Sequence, residues 1–339
     1  RRMRTWTRFG TYRQHVANCL DALINQNGVD LVEFAEYGTE ASVWMHRPRR
    51  IPMIVRCHGP ASRCGGERIA WRPSNWLKYR RAWLEYHAII AADAITCPSD
   101  AMAELIRIDG RLRGRLIEII PNAIPYATWA SAPAQPQANE TDATPEIFTA
   151  SSVVPPKGVQ ELVDAVQRLR ADGRNIRLTI AGKWGVLGRA LDRARHADPE
   201  LASWLTLPGH LTREELKTRY RQAVLVCFPS WWENCPCACL EAMACGALVV
   251  ASRAGGIPEI IRDGIDGLLE MPRDAGRLAE TLARALDLAP DAQTRLRTNA
   301  QERIRTTFDV DVVIPRMLRV YAAMIQQHAR PSRRQRGSA

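Results

Sequence analysis

Short apolar runs alternate with longer amphipathic stretches along most of this chain. In the first third, residues 29–35 (VDLVEFA), 51–59 (IPMIVRCHG), 93–99 (DAITCPS) and 115–122 (RLIEIIPN) predict strands. Between them, 74–92 and 99–108 place apolar residues along one helix face, and Ser99 followed by Asp100 supplies an N-cap for the second. Strand, helix, strand at such intervals implies parallel pairing through crossovers, hence an α/β sheet covered on both faces.

Residues 131–146 (SAPAQPQANETDATPE) have no apolar period and read as a linker. The alternation then resumes with strands at 146–152, 176–182, 224–229, 247–252 and 267–270. Helices are predicted at 158–173, near 187–197, at 213–223, and in a closing series near 275–288, 291–305 and 309–328. The run VLVCFP at 224–229 is apolar at nearly every position, as expected of a central parallel strand. The expected organisation is two Rossmann-like halves: 1–130, a linker at 131–145, and 146–308. A helix at 309–328 is expected to pack back on the first half, and 329–339 to form a basic tail. Ligands of such sheets sit at the carboxyl ends of the strands, so two facing halves would present a central cleft.

Composition narrows the class. No stretch approaches the ~18 apolar residues of a spanning helix. The opening RRMRTWTRFG lacks a signal peptide's apolar run and begins on Arg1 rather than Met, so it reads as a processed or partial chain. With 47 basic and 36 acidic residues the net charge is +11, which favours anionic partners. Part of it lies in MHRPRR at 45–50 and in the tail, where solvated surface is the simpler account. The nine cysteines, an odd number without export signals, read as free thiols in a reducing compartment.

Four of those cysteines fall within WWENCPCACLEAMACG at 231–246. On a helix Cys235 and Cys239 would share a face, with Cys237 and Cys245 across from it, so the four cannot converge on one metal ion and packing is expected. Glu233 and Glu241 flank the start of this helix. Were both on it, ~12 Å of rise would separate them, more than the ~5–9.5 Å of a glycosidase carboxylate pair. A carboxylate, a helix N-terminus suited to anions and a second carboxylate fit a ligand with hydroxyls at both ends and phosphates between, such as a nucleotide diphosphate sugar.

The segment PSWWENCPCACLEAMACGALVVASRAGGIPEIIRDGIDGLL at 229–269 closely resembles the signature of glycosyltransferase family 4, retaining enzymes of the GT-B fold. VVPPKGVQELVDAV at 153–166, IAGKWG at 180–185 and LPGHLTREEL at 207–216 extend the resemblance. VRCHGP at 55–60, CPSDAM at 97–102 and IIPNAI at 119–124 carry it into the first half.

The resemblance implies that Glu241 binds the donor ribose, Lys157 the diphosphate, and the backbone of Asn234, Cys235 and Pro236 the phosphates or sugar. It also implies Leu211 backbone groups at the base, with Gly182 and Ser152 on neighbouring strand ends. Glu233 and His58 would lie at the transferred sugar. Ser152 occupies a position where the family usually has Arg, which removes a charge; Lys183 and Arg253 are the candidate substitutes. The strand and glycine-rich turn that open the family's first domain are not found before residue 29, so that domain reads as incomplete.

The expected activity is metal-independent transfer of a hexosyl group from a UDP- or GDP-sugar to a hydroxyl of a glycan or lipid-linked acceptor. The nucleotide sugar is the donor substrate, and no cofactor is expected. The expected setting is the cytoplasm, peripheral at an anionic inner membrane face; no nucleic-acid partner is expected. The rival readings are a nucleotide-sugar epimerase on the same scaffold and a nucleotide-sugar-binding protein with little turnover.

Overall fold

The computed structural model describes residues 2–48, 51–59, 76–112, 114–130 and 144–329, the side chains of 2–9 and 27 excepted. The chain divides into two compact units, Arg1–Pro121 with Ile314–Ala339, and Asn122–Val313.

The first unit opens with a helix, α1 (Arg2–Asn27), followed by β1 (Val32–Ala35), α2 (Ala41–Trp44), β2 (Met53–Arg56), α3 (Trp76–Ala91), β3 (Ala94–Cys97), α4 (Asp100–Arg107) and β4 (Ile117–Ile119). Its four strands pair in parallel in the order β1-β2-β3-β4. Phe34 lies beside Val55, Val55 beside Ile95, and Ile95 beside Ile117. The two central strands are buried almost throughout, which explains their largely apolar sequence. Ser99 caps α4 as expected, its hydroxyl accepting from the Met102 amide at 3.1 Å. Helix α1 has no counterpart in the sequence expectations. Its Asp21 accepts from the indole of Trp44 on α2 at 3.1 Å, and Ala17 is fully buried.

The second unit comprises α5 (Tyr126–Ala130), β5 (Glu146–Ala150), α6 (Val159–Ala171), β6 (Arg177–Ala181), α7 (Val186–Ala197), α8 (Pro199–Trp204), β7 (Leu205–Gly209), α9 (Arg213–Gln222), β8 (Leu225–Phe228), α10 (Cys237–Ala244), β9 (Val249–Ser252), α11 (Ile257–Ile260), β10 (Leu268–Glu270), α12 (Ala275–Leu286) and α13 (Pro290–Thr307). Six parallel strands run in the order β10-β9-β8-β5-β6-β7. Successive residues feed opposite faces: Leu225 and Cys227 of β8 enter one core, Val226 and Phe228 the other. Helices α6 and α12 cover the first face, and α10 and α13 the second.

The expected boundary at residue 130 shifts to 121. Residues 122–130 belong to the second unit because Ile124 exchanges backbone hydrogen bonds with Phe308 and Val310, and Trp129 packs beside Tyr220. Most of the expected linker, residues 131–143, the tail 330–339, and Arg49 and Arg50 lie outside the described residues. The last helix, α14 (Val310–Ala329), belongs to the first unit from Ile314 onward. Met324 packs on Ile54 and Ala94, Tyr321 donates to Glu33 at 3.0 Å, and Arg316 donates to the Ile119 carbonyl at 3.0 Å. No helix among the described residues is long and apolar enough to cross a membrane.

Glu270, at the end of β10, is 6% exposed. Its Oε1 accepts from Ser252 at 3.2 Å, whereas Oε2 has no partner among the described residues. Burial pushes this carboxyl up to about 7. The unfolded chain releases that proton near the ordinary glutamate value, so stability falls as pH rises from there to about 7 and is flat above. Glu270→Gln is expected to remove this slope and to stabilise the protein at pH 8 by roughly 1–3 kcal/mol. Thermal melts of both proteins from pH 5 to 8 measure it; parallel curves would contradict the assignment.

Candidate functional site

In the second unit the chain passes from β5 outward through β6 to β7, then returns across the sheet to β8 on the other side of β5. The carboxyl ends of β5 and β8 therefore flank the point where the winding reverses, the place where open α/β sheets hold ligands. Lys157 follows β5, and Glu233 follows β8.

Backbone packing brings these two segments together. Gly158 ends the turn after β5 with φ 66°, and a Cβ there would lie 1.9 Å from the Pro229 carbonyl oxygen. The Trp231 amide donates to the Pro156 carbonyl at 2.9 Å. Gly255, φ 57°, approaches the segment from β9; a Cβ on it would meet the Glu233 carbonyl oxygen at 1.9 Å. The Gly256 amide donates to that same oxygen at 2.9 Å. Gly182, φ 138°, closes the other flank, where a Cβ would be 1.9 Å from the Ser151 carbonyl oxygen. A side chain fits at none of these three positions.

Side chains complete the arrangement. The Lys157 ammonium is paired with Oε1 of Glu233, which also accepts from the Ser230 hydroxyl at 2.9 Å. The Trp231 indole donates to Glu161 on α6 at 2.7 Å, and the Arg273 guanidinium lies over its ring at 4.3 Å. Asn122 donates to the Cys235 carbonyl at 2.8 Å. Asn234 and Cys235 are buried, Pro236 is half-buried, and Ser152 is exposed.

Helix α10 begins at Cys237, with Pro236 at its N-cap and no side chain capping the first turn. Glu233 and Cys235 thus precede the helix, and neither the helical rise from Glu233 to Glu241 nor the shared face of Cys235 and Cys239 applies. Cys235, Cys239 and Cys245 are buried in the apolar core, where burial pushes the Cys245 thiol up to about 12. Cys237 is exposed.

Glu241 is half-buried on α10, and burial holds its carboxyl above the ordinary range against the pull of Arg213 on α9. Leu211, two residues before Arg213, packs against the core cluster that contains Leu240. The α9 end of the rim and the carboxylate of α10 are thereby neighbours.

His58 lies in the first unit, just beyond β2. Its amide and that of Gly59 donate to the two oxygens of Glu36 at 2.8 and 2.6 Å. Glu36 is fully buried, and burial raises its carboxyl despite these bonds. The His58 ring stands edge-on to Tyr37 at 5.5 Å. Burial, helped by Arg56, lowers its pKa, so the imidazole is neutral at pH 7.

The second unit therefore gathers Lys157, Gly182, Glu233, Asn234, Cys235 and Pro236 on one rim, with Glu241 and Leu211 beside Arg213. Glu161, Ser230, Asn122, Arg213 and Arg273 were not anticipated. Ser230, three residues before Glu233, was legible as a local partner. Glu161 and Arg273 reach Trp231 from distant chain positions, which no local pattern announces.

Residues 132–303, more than half of the chain, match the family described as glycosyl transferases group 1. This chain belongs to that family. Residues 3–127 match glycosyltransferase family 4. Glycogen synthase of Mycobacterium tuberculosis is 27% identical over 325 residues, covering 96% of this chain and 72% of that protein. Alpha-maltose-1-phosphate synthase of the same organism is 33% identical over 198 residues, 55% of this chain and 50% of that one.

Among solved structures, sucrose-phosphate synthase from Thermosynechococcus elongatus superposes with a TM-score of 0.79 at 21% identity, covering 94% of this chain and 79% of the other. Anabaena Alr3699/HepE in complex with UDP gives 0.73 at 18% identity, covering 91% and 82%. These likenesses give the fold, GT-B, with two Rossmann-like units. The family gives the activity: a glycosyltransferase that draws on a nucleotide-sugar donor.

The glycine contacts on this glycosyltransferase's rim are unequal to other left-handed glycines. Gly173 has φ 88° with nothing within 4 Å of a Cβ. Gly173→Ala is expected to cost about 1 kcal/mol, the left-handed backbone penalty alone. Gly158→Ala adds a backbone clash and is expected to cost upwards of about 3 kcal/mol. Urea denaturation of the two variants compares them; equal losses would show that Gly158 is not held against Pro229.

Proposed function

We propose that this chain is a retaining hexosyltransferase whose donor, a UDP- or GDP-sugar, binds on the rim of the second unit. The observation that carries the reading is the pairing of Lys157 with Glu233 across the β5/β8 switch point. On this reading Lys157 exchanges Glu233 for the diphosphate, and the backbone of Asn234, Cys235 and Pro236 with the uncapped start of α10 takes the phosphate oxygens. Glu241 accepts from the ribose hydroxyls, the backbone at Leu211 meets the base, and Gly182 and Ser152 border the phosphates. Glu233, released from Lys157, accepts from hydroxyls of the transferred sugar. His58 keeps the role towards the transferred sugar that the family resemblance implies for it.

In the transfer itself, the bond between sugar C1 and the leaving phosphate oxygen breaks as the acceptor oxygen forms its bond on the same face. The acceptor proton passes to the departing phosphate. Lys157 and the helix start stabilise the charge that develops there, without a metal ion. The acceptor is a hydroxyl of a glycan or a lipid-linked sugar.

Replacing Glu241 with Ala is expected to weaken UDP or GDP binding at least tenfold, since two charged hydrogen bonds are lost. Calorimetric titration measures this, and unchanged affinity would sink the ribose assignment. Chelator is expected to leave transfer intact; its abolition would reject the metal-free mechanism.

For the setting of the enzyme, the charge is divided unevenly. The first unit holds 25 basic and 12 acidic residues, net +13; the second holds 22 and 24, net −2. On α3 of the first unit, Trp76 and Trp83 are 55% and 54% exposed, and Arg80 lies against the Trp76 ring. Aromatic and cationic side chains on one helix suit an anionic lipid surface, and we take the protein to be cytoplasmic and peripheral at the inner membrane face. Co-sedimentation with phosphatidylglycerol vesicles is expected, falling at least fivefold in Trp76→Ala/Trp83→Ala and in high salt. Equal recovery with neutral phosphatidylcholine vesicles would reject an electrostatic contact.

A further inference from the structure

The ladder between β5 and β6 does not stop where the strands do. Ala150 lies beside Ala181 at the last strand pair, and the Ser151 amide donates to the Ala181 carbonyl at 2.9 Å. Two residues on, the Val153 amide donates to the Lys183 carbonyl at 2.9 Å, and the Gly185 amide returns to the Val153 carbonyl at 3.2 Å. Val153 is therefore opposite Trp184, the bridge the backbone forms, and Ser152 falls opposite Lys183 in the same register. Neighbours in such a ladder are about 4.8 Å apart and share a face. Val153 is fully buried, while Ser152 and Lys183 are both exposed. Ser152 and Lys183 therefore start from neighbouring register positions, and both lie at the surface.

Charge distinguishes Lys183 from the other cations there. Lys157 is paired with Glu233, Arg253 with Asp263, and Arg273 stacks on Trp231. Lys183 forms no ion pair among the described residues. Its backbone carbonyl is tied to Val153, which fixes where the side chain starts, and its four-carbon stem reaches several ångströms from there. A diphosphate ester carries about two negative charges, and one lysine that must first leave a carboxylate neutralises them incompletely.

We propose that Lys183 is a donor-binding residue, supplying from the β6 strand end the second cation for the diphosphate that Ser152 on the β5 strand end cannot supply. The inference rests on the donor reading above. Arg253, the other candidate substitute, is held by Asp263 on the β9–β10 side of the sheet.

The experiment is a calorimetric titration of the full chain with UDP, GDP and ADP, using the tightest binder for all variants and its nucleoside as control. Lys183→Ala is expected to weaken the diphosphate about tenfold, leave the nucleoside unchanged, and reduce the slope of log Kd against log salt. Ser152→Arg/Lys183→Ala is expected to recover affinity to within about threefold, because the new guanidinium starts from the neighbouring register position. A purely structural lysine would lower the melting temperature and would not be rescued from 152. Lys157→Ala separates the two ideas. If it weakens binding and Lys183→Ala does not, the Lys183 assignment is overturned and the donor reading stands. If neither changes affinity, or none of the three nucleotides binds, the donor reading falls and the inference with it.

Discussion

The rim of the second unit depends on backbone meeting backbone. At Gly158, Gly182 and Gly255 the neighbouring carbonyl oxygen occupies the place of a Cβ, so the loops after β5, β6, β8 and β9 close on one another through three contacts without intervening side chains. Each contact lies one or two residues from a group with a proposed donor role: Lys157 precedes Gly158, Lys183 follows Gly182, and the Glu233 carbonyl receives Gly256. The side chains inherit their positions from loops that cannot relax outward. Preorganisation here is a property of main-chain packing, and the cores beneath supply its rigidity.

How much of this was legible follows from where each signal resides. Strands β5, β6, β8 and β9 announced themselves because both faces are largely buried and the sequence is mostly apolar; β8, from Leu225 to Phe228, is apolar at every position and is the plainest case. Glu241 could be singled out because it and Glu233 flank a helix start, whereas Lys157 was reached through the family resemblance of 153–166. Helix α1 could not be singled out, since its sequence is polar on most positions and its order comes from contacts such as Asp21 with Trp44. The start of α10 falls between Glu233 and Glu241 as expected, although Pro236 acts as N-cap without a capping side chain and no Ser, Thr or Asp marks the position. The anchoring of Trp231 by Glu161 and Arg273 joins three separate chain segments, and local periodicity carries no information about such pairs.

The two units differ in more than topology. The first concentrates the whole net positive charge, whereas the second is nearly neutral. In the second unit acids and bases are interleaved as local pairs, such as Arg174 with Asp287 and Arg305 with Glu302, and these exposed pairs contribute little to stability. Their effect is to keep the unit's far field small. A uniformly basic unit would attract anions everywhere; a balanced one with a local excess attracts them to one place.

The Lys157–Glu233 pair shows how such a site can recognise a compound ligand. Both side chains are partly buried, with 31% and 16% exposure, so separating them without replacement would leave charges poorly solvated. A phosphate alone satisfies the lysine and leaves Glu233 with only the Ser230 hydroxyl. A sugar alone offers hydroxyls to the glutamate but nothing to the lysine that the carboxylate does not already give. Only a ligand bearing both groups, at the separation set by the two strand ends, replaces both partners at once. On the proposed donor reading, selectivity for a sugar joined to a phosphate follows from the cost of breaking the pair for anything less, with no closer fit to either half required.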